Sequence, residues 1–390
     1  MATSASDKVW RALTSLKLTI AGLAALMVLV VGCTLAQVDL GSYGAVHRYM
    51  NCFVVWWHLP GTQLKVPVFP GGGTVGLVLV VNLLAVAFKR LRFTWKHLGL
   101  WIVHLGLIVL FVGEFVAAAF QVETRLTIEE GQTLNYVESP REMDLVITDQ
   151  TNPASQDEYA IPEALLSHPG STIDVPGTPL AVRVRDYYRN AKLGMRGASD
   201  PPSPATAGIG SQVGVSELPP VTADDEEDQR AVFVEPLGAG KSYGTWLVSP
   251  ALGAPQFFFH EGHKYALSMR HRRDYLPYAI TLKKFSHDVY LGTDIPKNFS
   301  SLVHLSNPDR GEERDVLIYM NAPLRYLGRT YYQASFGKGD TLSILQVVQN
   351  PGWLLPYVAC AMVALGLLIH FGMSIRRATV RQRGLAGSHA

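Results

Sequence analysis

Four apolar blocks constrain this chain more than any other feature of its sequence. Leu18 to Val38 contains no charged residue, Leu98 to Phe120 contains only Glu114, and Leu354 to Ile375 again contains none. Each is long enough to cross the hydrocarbon core of a bilayer as a helix, which takes about 20 residues. Gly71 to Phe88 is shorter and holds Asn82, but Lys89, Arg90 and Arg92 directly behind it supply a stop. The expectation is an integral membrane protein with four transmembrane helices.

Charge in the short flanks sets the expected orientation. Lys8, Arg11 and Lys17 precede the first block; Lys89, Arg90, Arg92 and Lys96 join the second and third; Arg376, Arg377, Arg381 and Arg383 follow the fourth. The loop between the first two blocks offers only Arg48 and Lys65. Lys and Arg accumulate on the cytoplasmic side, so both termini are expected there. The resulting map is a cytoplasmic N-terminus at 1–17, spans at 18–38, 71–88, 97–120 and 353–375, an outer loop at 39–70, a cytoplasmic loop at 89–96 and a cytoplasmic tail at 376–390. Residues 121–352, between the third and fourth spans, form a large extracytoplasmic domain, on the periplasmic or exterior side of a bacterial inner membrane. A net charge of +2 gives no basic surface for nucleic acid.

"LVVGCT" at Cys33 resembles a lipoprotein signal, but the apolar run continues through Thr34, Leu35 and Ala36 and reads as an uncleaved span. Cys33, Cys52 and Cys360 contain no C-x-x-C spacing, which argues against thiol redox catalysis. Cys33 and Cys52 both fall toward the oxidising side, where they could pair.

Beyond residue 121 the apolar runs become short and alternating. "RLTIEEG", "MDLVITD", "LAVRVRDYY", "AVFVEP", "YAITLKKF", "SLVHLS", "VLIYMNAPL", "RTYYQASF" and "LSILQVVQ" are rich in β-branched and aromatic residues and bounded by Gly, Pro, Asn or Asp. The domain is expected to be mainly antiparallel sheet. Residues 194–228, Pro/Gly/Ser-rich and then acidic, read as a flexible excursion that splits it into two lobes. "HKYALSMRHRR", His263 to Arg273, reads as a solvated strand edge. No phosphate loop, HExxH pair or Ser/His/Asp signature points to a hydrolase.

The third block carries the chemistry. His97 and His104 lie seven residues apart, about 700° of helix, and so share a face to within roughly 20°. His97 adjoins Lys96 at the headgroup level. His104 lies about 12 Å inside Lys96, and polar groups at such depth tend to face the bundle interior and do work. In the fourth block His370 precedes Arg376 by six residues, about 9 Å, on the same leaflet. Imidazole at depth serves as an interhelical hydrogen bond, a proton relay or an axial ligand to haem iron. Gly106 and Gly113 leave room for a close neighbouring helix or a flat macrocycle. Glu114, ten residues from His104, is displaced by about 280° beyond two full turns, so the two do not couple directly.

"LTSLKLTIAGLAAL", "VHLGLIVLFVG" and the closing series "YLGTDIPKNFSS", "IYMNAPLRYLGRTYYQASFG" and "LQVVQNPGWLLPYVACAMVALGLLIHF" together resemble the ResB family, also called CcsB, of System II cytochrome c biogenesis. The resemblance runs over essentially the whole chain and is weakest at 194–228. It implies a subunit that works with a ResC (CcsA) haem-handling membrane protein to carry haem b outward for attachment to apocytochrome c, with haem lyase activity centred on the partner and a thioredoxin-like reductant as a further partner. The family's intramembrane histidine falls on His104, the expected iron ligand. The partner, or His370 within this chain, would supply the second axial bond. Arg90, Arg92 and Arg376 are candidate counter-charges for the propionates. "VVWWHLPG", with Trp56, Trp57 and His58, reads as an interfacial aromatic belt against lipid. Two other readings stay open: a b-haem electron carrier using His104 and His370, and a membrane-anchored assembly scaffold without haem.

Overall fold

The computed structural model describes residues 5–59, 62, 64–90, 94–152, 154–197, 202–221, 227–292, 296–337 and 339–386. The described residues divide into a helical unit, up to Val122 and from Gln349 on, and a sheet unit within 123–221 and 227–348.

Helices α1 (Ala5–Leu13), α2 (Leu16–Tyr49), α3 (Gly72–Arg90), α4 (Leu98–Phe120) and α5 (Leu355–Ala386) make up the helical unit. Four of them, over Leu16–Tyr49, Gly72–Lys89, Trp95–Phe120 and Leu355–Val380, are long and apolar enough to cross a membrane. Ser15 caps α2, its hydroxyl accepting from the Lys17 amide at 3.2 Å. The helix does not end at Val38 as its hydropathy suggests. Gly41 breaks it at φ 64°, ψ 172°, a conformation glycine adopts without a Cβ penalty. Tyr49 then comes within 3.5 Å of the Cβ position of Gly32. Seventeen residues of straight helix would separate the two by about 25 Å, so the chain folds back at Gly41. Part of the expected 39–70 loop is therefore helix, and much of the rest is an antiparallel hairpin, Val54–His58 with Lys65–Pro70.

Asn82, inside the apolar α3, is buried because its amide works as a tie. Its Nδ2 donates to the Leu13 and Ser15 carbonyls at 2.6 and 3.4 Å, and its Oδ1 accepts from the Thr19 hydroxyl at 2.6 Å. In an apolar surround such bonds hold helices together where the hydrophobic effect does not. Leu29, Val55, Val75 and Leu79 form a small core between α2, α3 and the hairpin, with Phe111 of α4 packed on it.

The α4–α5 contact rests on glycine. Gly99, Gly106 and Gly113 are all buried. A Cβ on Gly99 would lie 2.6 Å from the Gly366 carbonyl oxygen, one on Gly106 2.9 Å from Val363, and one on Gly113 2.9 Å from Leu355. Small residues every seventh position let two backbones approach. The space at Gly106 and Gly113 thus holds a helix.

In the sheet unit the main sheet runs Glu312–Tyr319, Pro296–Asn307, His263–Val289, Thr133–Asp149, Val122–Glu129, Leu342–Gln349, Arg329–Gly337, Leu324–Tyr326. Its first strand lies beside its last two, so the sheet curls around a core that includes Ile128, Val137, Ile280, Leu282, Val303, Leu305, Ile318, Tyr331 and Leu345. A second sheet, built on Leu180–Tyr188 and Ala231–Gly238, packs Val182, Val184, Val232 and Val234 against Leu145, Ile147, Tyr265 and Leu267.

Two expectations change here. The lobes are not divided at 194–228, because the strands Thr133–Asp149 and His263–Val289 contribute to both cores. The excursion itself carries a hairpin, Ala191–Met195 with Val213–Glu217, whose Ala191 and Val213 join Ala205, Phe233 and Leu247 in a third core. Apolar residues scattered among the glycines and prolines anchor it. His263 to Arg273 is an edge only in part: 263–267 pairs with Gln256–His260 on one side and, from Tyr265 on, with Thr133–Asp149 on the other, whereas among the described residues 268–273 pairs with Thr133–Asp149 alone. Its cations are held by carboxylates on the strands around it, Arg270 by Glu158 at 2.6 Å, Arg273 by Glu138 at 3.1 Å, and Arg272 by Glu142.

Candidate functional site

His104 stands on the third apolar helix, half-buried. Its Nδ1 lies 2.8 Å from the carbonyl oxygen of Leu100, one turn earlier. A carbonyl can only accept, so Nδ1 carries the proton. The other nitrogen, Nε2, is left with no hydrogen-bond partner among the described residues. An acceptor that takes the proton of one ring nitrogen, fixes the tautomer and leaves the other nitrogen free is the arrangement used when imidazole binds a metal.

The face of α4 that bears His104 follows from helical spacing. His104 is five residues, about 140°, from Gly99, and about 160° from the mean direction of the three glycines. Phe111, seven residues on, shares its stripe to within about 20° and packs against the α2–α3 core. One side of α4 is therefore filled by α5, and the other, bearing His104, turns toward α2 and α3.

His370 does not meet it. The backbone nitrogen and Cβ of His370 sit against Gly99, on the glycine side of α4. His104 lies five residues, about 7.5 Å, farther along the helix and on the opposite face. The His370 ring packs edge-on against Phe371, centroids 5.7 Å apart. The structure thus does not assemble the two histidines into one site.

His97 hydrogen-bonds at 2.8 Å through Nδ1 to the hydroxyl of Thr94, in the turn that opens α4. Glu114 is exposed. Trp56 and Trp57 are exposed on the hairpin while Val55 is buried; the side chain of His58 lies outside the described residues, as do Arg92 and the side chain of Arg90. Cys33 and Cys52 are both free thiols, and the Cys52 Sγ donates to the Arg48 carbonyl at 3.0 Å. Burial, as the largest cause, raises the Cys52 thiol above its ordinary value. Among the described residues no three His, Cys, Asp or Glu side chains cluster as a metal site.

Sequence reasoning missed the tautomer lock and the glycine at 99. The first has no sequence signal beyond a carbonyl four residues back on any helix. The second was visible as the seven-residue spacing of Gly99, Gly106 and Gly113.

The sheet unit's conspicuous motifs are structural. In "YYQASF", Tyr331 is buried, its hydroxyl 2.6 Å from that of Tyr278, and Gln333 accepts from Ser301 at 2.6 Å. Phe336 packs on Phe285, Phe299 and His287. Desolvation is the main cause that pushes the Tyr331 phenol far above its ordinary range, as suits a hydroxyl that only bridges.

Comparison with known proteins places a family match in this unit. A profile of the ResB-like family matches residues 256–344. Protein NrfI of Wolinella succinogenes is 33% identical over 93 residues, which is 24% of this chain and 10% of that protein. The matched part is thus about a tenth of the relative's length.

Proposed function

From the premise that the chain is ResB-like, we propose that it acts in cytochrome c maturation. In this reading the long helices cross a bacterial inner membrane with both termini in the cytoplasm and the sheet unit on the outer side. Together with a ResC/CcsA-type partner, the chain conveys haem outward and supports its attachment to apocytochrome c.

The observation that carries the reading is the free Nε2 of His104, a residue on the face of α4 opposite α5, in a ring whose other nitrogen is bound to the Leu100 carbonyl. The donor fits haem iron, which takes an axial imidazole. Haem is the cargo, and the chain's part is to bind it and orient it. A histidine of the partner would supply the opposite axial bond, because the backbone of His370 packs on the glycine face of α4, away from His104. Only 11% of the apolar window is buried in each of α2, α4 and α5, so the helical unit keeps ample surface for a membrane partner and for lipid. The sheet unit holds the apocytochrome or its thioredoxin-like reductant in register.

The test is the visible absorption spectrum of the full chain purified in detergent, alone and co-expressed with the partner. A Soret band that appears with the partner and is lost or shifted in His104→Ala supports the reading. No haem in any preparation, with cytochrome c still maturing in the His104→Ala strain, would reduce the chain to a scaffold.

A further inference from the structure

We propose that the groove between the opening turn of α4 and the far end of α5 binds the phosphate headgroup of an anionic phospholipid. The groove is lined by Trp95, Lys96, Met373, Arg376, Arg377 and Val380 and has a volume of about 460 Å³, within the range of small-molecule sites. Half of these side chains are cationic and half are apolar. That is the chemistry of a ligand with an anionic head and a hydrocarbon tail.

One cation is placed by a hydrogen bond, and none of the three has an ion-pair partner among the described residues. Arg377 donates through Nη2 to the carbonyl of Lys96 at 3.2 Å, which holds its guanidinium over the groove and ties the two helix ends together. No carboxylate lines the groove, and none pairs with Lys96, Arg376 or Arg377 among the described residues. Guanidinium groups suit phosphate oxygens through paired N–H donors. Trp95 is 84% exposed, an aromatic face open to acyl chains at the level where tryptophan gathers in membrane proteins. Depth agrees: Arg376 and Arg377 lie six and seven residues past His370, about 9–10 Å beyond the Gly99 crossing, where an apolar span gives way to headgroups.

The groove opens on the α5 side of α4, whereas His104 faces the α2–α3 side. The groove and His104 thus lie on different faces of α4. The inference therefore stands on the helices crossing a membrane and not on the haem reading.

Native mass spectrometry of the full chain in mild detergent tests it, with phosphatidylglycerol, phosphatidylcholine and inorganic phosphate as probes. Wild type is expected to retain one phosphatidylglycerol and no phosphatidylcholine. Arg376→Gln with Arg377→Gln should weaken that adduct at least tenfold, while Arg48→Gln leaves it unchanged. An undiminished adduct in the double variant, equal retention of phosphatidylcholine, or displacement by equimolar inorganic phosphate would overturn the proposal. Should the double variant not fold, photoactivatable phosphatidylglycerol on wild type reads the same site. Label on Trp95 or Met373 supports it; label elsewhere alone overturns it.

Discussion

Residues 256–344 and helix α4 differ in what their recognisable residues do. In the first segment the motif residues are consumed by the fold: Leu282, Leu324 and Tyr331 are core, and Phe336 covers it. In α4 the residues alternate by face, with Gly99, Gly106 and Gly113 receiving α5 while His104 keeps Nε2 without a partner among the described residues. The ResB-like family profile matches the first segment, and the candidate chemistry of α4 lies outside that match.

The largest expected effect tests the packing half of this contrast. Leu282→Ala, at a fully buried position, should destabilise the sheet unit by about 2–5 kcal/mol, measured by denaturant unfolding of the full chain in detergent. His104→Ala should shift the same curve by less than about 1 kcal/mol, since it removes one net hydrogen bond. Comparable losses from both would erase the distinction.

Next comes the glycine face. Gly106→Leu forces a side chain against Val363 and the Ala359 carbonyl and should cost about 1–3 kcal/mol. Gly76→Ala, where a Cβ meets nothing within 4 Å, should be neutral or mildly stabilising. Thermal unfolding of the two variants side by side reads the difference, and equal behaviour would mean that the heptad glycines do not carry the contact.

An effect of similar size belongs to the buried phenols. Tyr278→Phe leaves the Tyr331 hydroxyl without its 2.6 Å partner, at a cost of about 1–3 kcal/mol. Tyr278→Phe combined with Tyr331→Phe should recover part of it, because no lone hydroxyl then remains. A double variant worse than the single would contradict this.

The smallest effect is electrostatic and lies on the exposed face. His304 donates to Asp315 at 2.7 Å and to Glu313 at 2.8 Å, with Lys283 also on Asp315 at 2.7 Å. Both ring nitrogens can donate only when the ring is charged. The bond to Asp315 first, and then that to Glu313, raises His304 above the ordinary 6.5. Asp315, held chiefly by Lys283, and Glu313, held chiefly by Ser306, lie below their ordinary values. The imidazolium's contribution is complete below pH 6.5 and fades as pH rises through its folded value; the carboxylates' contribution is present above their ordinary values and fades in acid. An NMR titration should give His304 a midpoint above 6.5, and His304→Gln should remove the alkaline loss. A midpoint at or below 6.5 would contradict the clamp.

Much of this was legible in sequence, for physical reasons that differ by region. Uninterrupted apolar runs marked the four long helices, since lipid tolerates little else, and alternation marked the strands. The depth of His104 followed from counting residues from Lys96. What could not be read was direction and pairing. His104 and His370 resemble each other in one-letter code and in distance from a cation, yet three glycines decide that α5 takes the face His104 does not occupy. The reversal at Gly41 was hidden because the helical pieces on either side of that glycine read as one run followed by a loop. Lobes separated by a linker were expected at 194–228 because composition is local, whereas a 27-residue strand, His263–Val289, joins both cores across it.

The most direct measurement is the haem spectrum of two single variants, His104→Ala and His370→Ala, each purified with the co-expressed partner. The account expects His104→Ala to lose or shift the Soret band and His370→Ala to keep it at wild-type position and intensity. Loss in His370→Ala with retention in His104→Ala would contradict it, and would place the ligand on the face that α5 covers.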